Sequence, residues 1–454
     1  MTGPGASAPT ASRAARNQYL AALAASGPMF VDGAQLTTLA GLIQSVSGKE
    51  ISHTIKGLWM GSMYMGVILS MLVSGVVADR YGRRKPLVAS LGLTLVASVL
   101  CALVEDVKTE LYVMMGLRAL LGFCLGMGIP AAYTLVLESA ETVSSRAVMV
   151  TVADFLFSVG QMWGAVGIVI LNPYLESVGL GQRALIGLWP VLPTAAFFAF
   201  AALGVPESPL WLQAQGLVPN PRHPPQDPWS VLWAPAMRMT VLAVTCLVFA
   251  ASFLDFGFSY AIPDLLRHVE GETGQKPGLQ LVIISALGLV GSGLQLLLVT
   301  RVNIGHRESM SALGMGLAGL VSLMFGIERY PYVAVAAAYF VQLVANTLRG
   351  LMHIYSLEVF PTVCRATGMS MGSFAGRFAA MSVPIIFEML SHYEVTLTPM
   401  IAPIHYAVYQ SFFVVMLAFC LGASLVARYL PFETKFTPLN DDASEVTPLV
   451  GCRA

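Results

Sequence analysis

Apolar runs separated by short charged or proline-rich breaks recur along almost the whole chain. A helix needs about 20 apolar residues to cross a bilayer. The runs reach that length near 18–45, 57–78, 86–104, 111–137, 147–171 and 184–204, and again near 238–262, 278–300, 308–328, 331–357, 366–390 and 402–428. The pattern predicts an all-α, polytopic membrane protein with twelve transmembrane helices, six on each side of a polar stretch at 205–237. That stretch carries Pro219-Asn220-Pro221 and Pro224-Pro225 and reads as an irregular linker. The expected organisation is a tail at 1–17, a six-helix bundle at 18–204, the linker at 205–237, a second six-helix bundle at 238–430 and a tail at 431–454.

Composition agrees with the pattern. Of 454 residues 56% are hydrophobic and 11% charged, with mean hydropathy +0.71; soluble domains carry about twice that charge. Lys plus Arg and Asp plus Glu are equal at 25 each, so no basic excess points to nucleic acid. The six cysteines are scattered without a C-x-x-C pair, and no metal or cofactor site is expected. Residues 1–17 are small, polar and free of acids. The run after them is too long for a signal-peptide core and reads as a retained first helix. Lys and Arg concentrate on one side of the alternating loops, which places both termini in the cytosol.

The motifs narrow this. Gly75-Val76-Val77-Ala78-Asp79-Arg80-Tyr81-Gly82-Arg83-Arg84-Lys85 is a strongly basic turn between two spans. It resembles the G-x-x-x-D-R-x-G-R-R loop between helices 2 and 3 of the major facilitator superfamily. Arg301-Val302-Asn303-Ile304-Gly305-His306-Arg307 is its counterpart in the second half, with Val302 where the first copy has Asp79. Arg118-x-x-x-Gly122-x-x-x-Gly126-x-Gly128 followed by Glu138, and Arg146 opening the fifth span, extend the likeness. Pro206-Glu207-Ser208-Pro209-Leu210-Trp211-Leu212 looks like the P-E-S-P-R-W-L of sugar porters and organic-ion transporters, with Leu210 in place of Arg. Leu430-Pro431-Phe432-Glu433-Thr434-Lys435 is similar to L-P-E-T-K. Glu358-Val359-Phe360-Pro361-Thr362-Val363-Cys364-Arg365-Ala366-Thr367-Gly368 resembles the E-x-Y-P-T-x-x-R-x-x-G of the organic cation and anion transporters and their synaptic-vesicle relatives.

The resemblance implies a secondary carrier of a small organic solute working by alternating access in the lipid bilayer, as a monomer, with no enzymatic activity and no cofactor. Asp79, Arg80, Arg83, Arg84, Glu138, Arg146, Glu207, Glu358, Arg365 and Glu433 would form ion pairs that hold the bundles together at the cytosolic end. As exposed pairs they would contribute about 0.2–1 kcal/mol each. The missing Arg at Leu210 and missing acid at Val302 imply a lighter latch than in relatives.

Ionisable groups inside a membrane are functional candidates by default. Asp32, in Asp32-Gly33-Ala34-Gln35, looks like the D-G-x-D of organic-acid and phosphate symporters, with Gln35 replacing the second acid. Asp154 and Asp255 are further carboxyls at depth, and Arg118, Arg349 and Arg377 the cations. Arg377 lies twelve residues beyond Arg365, roughly 18 Å along a helix. In the organic-ion branch this offset resembles a position that is acidic in cation carriers and Arg in anion carriers. The expected substrate is an organic anion, with protons as a coupling partner at Asp32. A salt bridge from Arg377 to Asp32 or Asp255 is the competing reading of that residue. A sugar or other neutral solute is the alternative substrate, and a non-transporting receptor or scaffold on the same fold the alternative function. Gly368-Met369-Ser370-Met371-Gly372 satisfies G-x-S-x-G but lacks the preceding strand a nucleophile elbow requires. Gly368, Gly372 and Gly376 read instead as a close-packing stripe.

Overall fold

The computed structural model describes residues 19–20, 22–45, 53–104, 111–140, 142–171, 174, 177, 188–215, 227–235, 237–270, 277–391, 396–397, 404–405 and 409–435. The expected tail at 1–17, all but residues 431–435 of the expected tail at 431–454, and the proline-rich part of the linker at 216–226 lie outside them. The first half supplies α1 (Gly27–Ser45), α2 (His53–Tyr81), α3 (Arg84–Ala102), α4 (Leu111–Gly126) with α5 (Ile129–Glu138), α6 (Val143–Val166) and α7 (Trp189–Gly204). Two short helices follow, α8 (Pro209–Ala214) and α9 (Pro228–Leu232), so the stretch expected to be irregular is partly helical. The second half supplies α10 (Arg238–Glu270), α11 (Pro277–Thr300), α12 (His306–Met324), α13 (Pro331–Val359), α14 (Arg365–Ser391) and α15 (Gln410–Arg428).

Counting α4 and α5 as one crossing, the described residues form the twelve spans that the runs predict. The run at 111–137 is broken, however. Met127 and Gly128 form a turn, and the chain restarts as helix at Ile129-Pro130. Proline is tolerated there because a first-turn N–H has no helical partner to lose. The run at 402–428 also departs from expectation: Ile404–His405 pairs antiparallel with Thr396–Leu397, and α15 starts only at Gln410.

Eight of these spans are apolar enough to be recognised by length and composition alone; α1, α7, α12 and α14 are not among them, α7 being apolar but short over its described residues. Helices α1 and α14 carry Asp32, Gln35, Arg365 and Arg377, and these polar side chains point into protein rather than lipid.

The two halves repeat one packing scheme. Helix α1 lies along α6 as α10 lies along α14; α2 packs on α4 as α11 packs on α13; α3 sits between α4 and α7 as α12 sits between α13 and α15. The halves meet where α2 packs on α14 and α6 on α11. Small residues permit the closest approaches. A Cβ on Gly33 of α1 would lie 2.1 Å from the Phe157 carbonyl oxygen of α6, and one on Gly160 of α6 would lie 2.0 Å from that of Phe30. This contact brings Asp32 and Phe157 to the same central space. The stripe at Gly372 and Gly376 faces Val248 and Ser252 of α10.

Candidate functional site

A narrow cavity lies between the halves. Helices α1, α5 and α6 of the first half and α10, α13 and α14 of the second contribute its lining. Its polar residues are Asp32, Tyr133, Ser252, Arg349, His353, Ser373 and Arg377, set among Met29, Ile129, Phe157, Val248 and Phe256. The break between α4 and α5 turns Ile129 and Tyr133 toward this space.

Three of the six candidates at depth, Asp32, Arg349 and Arg377, line the cavity. Arg377 Nη2 donates to Asp32 Oδ2 across the two halves, so the salt-bridge reading of Arg377 describes this conformation. Among the described residues its Nη1 is buried without a hydrogen-bond partner, and the guanidinium carbon lies 6.0 Å from the ring centroids of both Tyr64 and Phe256. Arg349 Nε donates to Asp255 Oδ2 at 2.8 Å within the second half, and Gln342 Nε2 donates to the other oxygen of Asp255 at 2.8 Å. Arg349 also covers the Phe157 ring from the first half at 4.8 Å.

Asp154 sits just behind the lining. Its Oδ1 accepts from the Tyr133 hydroxyl at 2.8 Å and lies 2.8 Å from His353 Nδ1, while Oδ2 accepts from Gln295 Nε2 at 3.1 Å. His353 was not a sequence candidate, although a readable signal exists: it stands four residues beyond Arg349, on the same helical face. Arg118 is elsewhere. It is fully buried in α4, its Nη1 donates to Gln35 Oε1 at 2.6 Å, and Nε and Nη2 have no hydrogen-bond partner. Gln35, standing where the resembling motif has an acid, gives Arg118 a carbonyl but no counter-charge.

At the end of the molecule carrying the 82–84 turn, the expected exposed latch is a buried network. Asp79, Arg83, Glu138 and Arg365 are all nearly or fully inaccessible to solvent. Arg83 contacts Asp79 at 3.1 Å and Glu138 at 3.1 Å, and Arg365 of the second half donates to Glu138 at 2.7 Å. Burial opposes the charge on Arg83, but Glu138 and Asp79 outweigh it and raise the guanidinium above its usual range. Asp79 accepts from the backbone N–H and hydroxyl of Thr367 at 2.8 and 2.6 Å, capping the N-terminus of α14 from the opposite half. An exposed-pair magnitude therefore does not apply. Removing one partner of a buried ion pair costs about 3–5 kcal/mol, because the other charge is stranded.

The remaining candidates at this end do other work. Glu207 accepts from the backbone N–H groups of Arg83, Arg84 and Ser208 at 2.8, 3.2 and 3.0 Å. Gly82, at φ +99°, makes room for it: a Cβ there would lie 2.3 Å from Glu207 Oε2. Glu433 does the same for His306 and Arg307, at 2.8 and 3.2 Å. Arg84 donates to the Ala202 carbonyl. Arg80 is exposed and pairs with Asp227, outside the network. Glu358 and Arg146 are buried in a second cluster beside His306.

A family model described as Major Facilitator Superfamily matches residues 26–384. The gallate transporter of Pseudomonas putida is 27% identical over 353 residues, covering 73% of this chain and 76% of that protein. The synaptic vesicle 2-related protein of Rattus norvegicus is 23% identical over 426 residues, covering 84% of this chain and 72% of that protein. The solved structure of the proton:xylose symporter XylE bound to 6-bromo-6-deoxy-D-glucose superposes with a TM-score of 0.75 at 16% identity, covering 95% of this chain and 99% of that one.

Proposed function

The chain belongs to the Major Facilitator Superfamily, a multi-pass transporter family rather than an enzyme family, and from that premise we propose that it carries a small organic anion by alternating access, coupled to protons. The observation that carries the anion reading is Arg377. It lines the cavity, engages Asp32 through one nitrogen and leaves Nη1 buried without a partner. A carboxylate entering the cavity supplies what that nitrogen lacks, and a planar guanidinium binds carboxylates in a two-point fork. Tyr64, Phe256 and Phe157 surround the cations with ring faces, which suits a solute with a flat apolar body. The resemblance of the P. putida gallate transporter is consistent with such a cargo. Both termini lie in the cytosol in this reading, so the buried Asp79–Arg83–Glu138–Arg365 network closes the cytosolic end and holds the carrier open or occluded toward the other side.

The competing neutral-solute reading rests on the Asp32–Arg377 and Asp255–Arg349 pairs, which already balance these four charges. Uptake by purified protein in lipid vesicles, measured with a panel of anionic, cationic and neutral solutes, separates the readings. Arg377→Gln paired with Asp32→Asn removes the bridge without stranding a charge. It should weaken an anionic substrate by about 10–100-fold, the size of a lost charge-assisted contact of about 1.5–3 kcal/mol. Unchanged anion affinity removes Arg377 from the site. Uptake of no solute in the panel by the wild type favours the scaffold.

A further inference from the structure

Two ionic contacts cross the cavity from one half to the other, and both have the same polarity. The acids, Asp32 of α1 and Asp154 of α6, belong to the first half; the bases, Arg377 of α14 and His353 of α13, belong to the second. They differ in one respect. A guanidinium keeps its charge at any physiological pH, whereas an imidazole is neutral or charged according to whether its second ring nitrogen holds a proton. One bridge is therefore permanent in charge and the other can be switched.

We propose that His353 is the proton-carrying residue of this carrier, and that its contact with Asp154 is a proton-operated bridge between the halves. This deepens the transport reading above and rests on it. His353 Nδ1 is 2.8 Å from Asp154 Oδ1, a distance that holds Nδ1–H as a donor to the carboxylate whether the ring is neutral or charged. The proton that comes and goes is then on Nε2, which among the described residues makes no hydrogen bond and belongs to a side chain lining the cavity. Tyr133 and Gln295 hold the two Asp154 oxygens from α5 and α11, so the carboxylate stays in place when the ring changes charge. The other charged groups facing this pair are Arg349 on α13, with its partner Asp255 on α10, and the Asp32–Arg377 pair on α1 and α14. Arg349 and Asp255 move together with the second half, so His353 and Asp154 are the titratable pair that separation of the halves must pull apart.

The sign follows from the charges. A proton taken up at Nε2 makes the ring cationic against an ionised Asp154 and tightens the bridge; its release leaves an ordinary neutral hydrogen bond, which parts more easily. Acidification therefore holds the halves together across the cavity, and an anion that draws Arg377 from Asp32 weakens the other bridge. Opening then requires both the loss of a proton and the engagement of substrate, which is a coupling rule.

The test reads conformation rather than transport. Ser373→Cys places a thiol in the cavity lining, in a chain whose exposed Cys246 is replaced by Ser. Its reaction with a membrane-impermeant maleimide in lipid nanodiscs is followed from pH 5 to pH 8, each rate divided by that of a free small-molecule thiol at the same pH, because the thiolate fraction itself falls on acidification. This normalised labelling should slow several-fold on acidification. His353→Gln should abolish that pH dependence, Asp154→Asn should flatten it, and Asp32→Asn should retain it. A pH dependence that survives His353→Gln, or that Asp32→Asn removes instead, overturns the assignment, as does a wild type whose labelling ignores pH. Solute exchange at equal pH on both sides needs no pH gradient. If it is absent the transport reading fails, and if it is present while the labelling result is negative only the His353 assignment fails.

Discussion

The turn at Gly82 and the turn at Gly305 occupy matching places in the two halves, and one part of their chemistry is repeated while the other is not. In both, a glycine makes way for a glutamate, Glu207 or Glu433, that accepts the first backbone N–H groups of the following helix. In both, the next Arg donates to a carbonyl at the end of the sixth span of its half, Arg84 to Ala202 and Arg307 to Arg428. The ionic part diverges. The first turn sets Asp79 and Arg83 beside Glu138 and Arg365; the second has Val302 and His306 at the corresponding positions, with His306 3.6 Å from Glu358, whose charge Arg146 favours. Relative to the first, the second lacks one acid and one permanent base, so the two departures cancel in charge. Capping is a demand of any helix N-terminus, and both halves meet it. Bridging the bundles with buried charge is a separate task, done in full on one side.

The sharpest way to break this comparison is to remove the matching glutamates. Glu138→Ala leaves Arg83 and Arg365 fully buried, with Asp79 still paired to Arg83 but the 2.7 Å partner of Arg365 gone, a loss of order 3–5 kcal/mol. Glu358→Ala removes an acid whose neighbour His306, 3.6 Å from it, can stay neutral, so it should cost distinctly less. Thermal unfolding of both variants in the same detergent checks the order. An equal or larger loss in Glu358→Ala would show that the second cluster bears as much of the closure as the first.

Most of the fold was legible because membrane crossing imposes length and apolarity, which a single sequence shows directly. The departures have local causes: Met127-Gly128 interrupts a run that reads as continuous, and the residues before Gln410 are apolar yet partly extended. The candidate site was less legible. Asp32, Arg349 and Arg377 could be found because charge at depth is conspicuous, but their pairing could not, since Asp32 and Arg377 stand 345 positions apart. The basic turn read as exposed because loops usually are; its burial comes from Thr362 and Arg365 arriving from the other half. Tyr133, Gln295 and His353 escaped notice because each, taken alone, is an ordinary polar residue in an apolar run.

A smaller effect sharpens the cancellation argument. His306→Arg alone adds a permanent charge to a buried position already facing Lys435 as well as Glu358 and Glu433, and should lower stability. Val302→Asp together with His306→Arg recreates the composition of the first turn and should recover it. The double variant should also close that end more firmly, with solute exchange slowed about tenfold, equivalent to about 1.4 kcal/mol. The measurement is the coupling between the two substitutions in a double-mutant cycle, for both unfolding and exchange. Additive effects would mean that the two departures are unrelated.

The smallest expected effect belongs to Arg80, which shares the basic turn with Arg83 and differs from it chiefly in burial. Its guanidinium contacts Asp227 at 2.8 Å, but the two side chains are 55% and 47% exposed. Water screens such a pair and solvates either member when the other is lost. The hydrogen bond from Arg80 holds the Asp227 carboxyl below its usual range, so the contribution of the pair is present at neutral pH and fades on acidification. Asp227 keeps a structural task without it, accepting from Ser230 N–H at the start of α9. Arg80→Ala should therefore unfold at a temperature indistinguishable from wild type and leave exchange unchanged, at low salt as at high. If it instead destabilises the protein as Glu138→Ala does, burial is not what distinguishes the two arginines, and the linker contact through α9 must be holding the halves together.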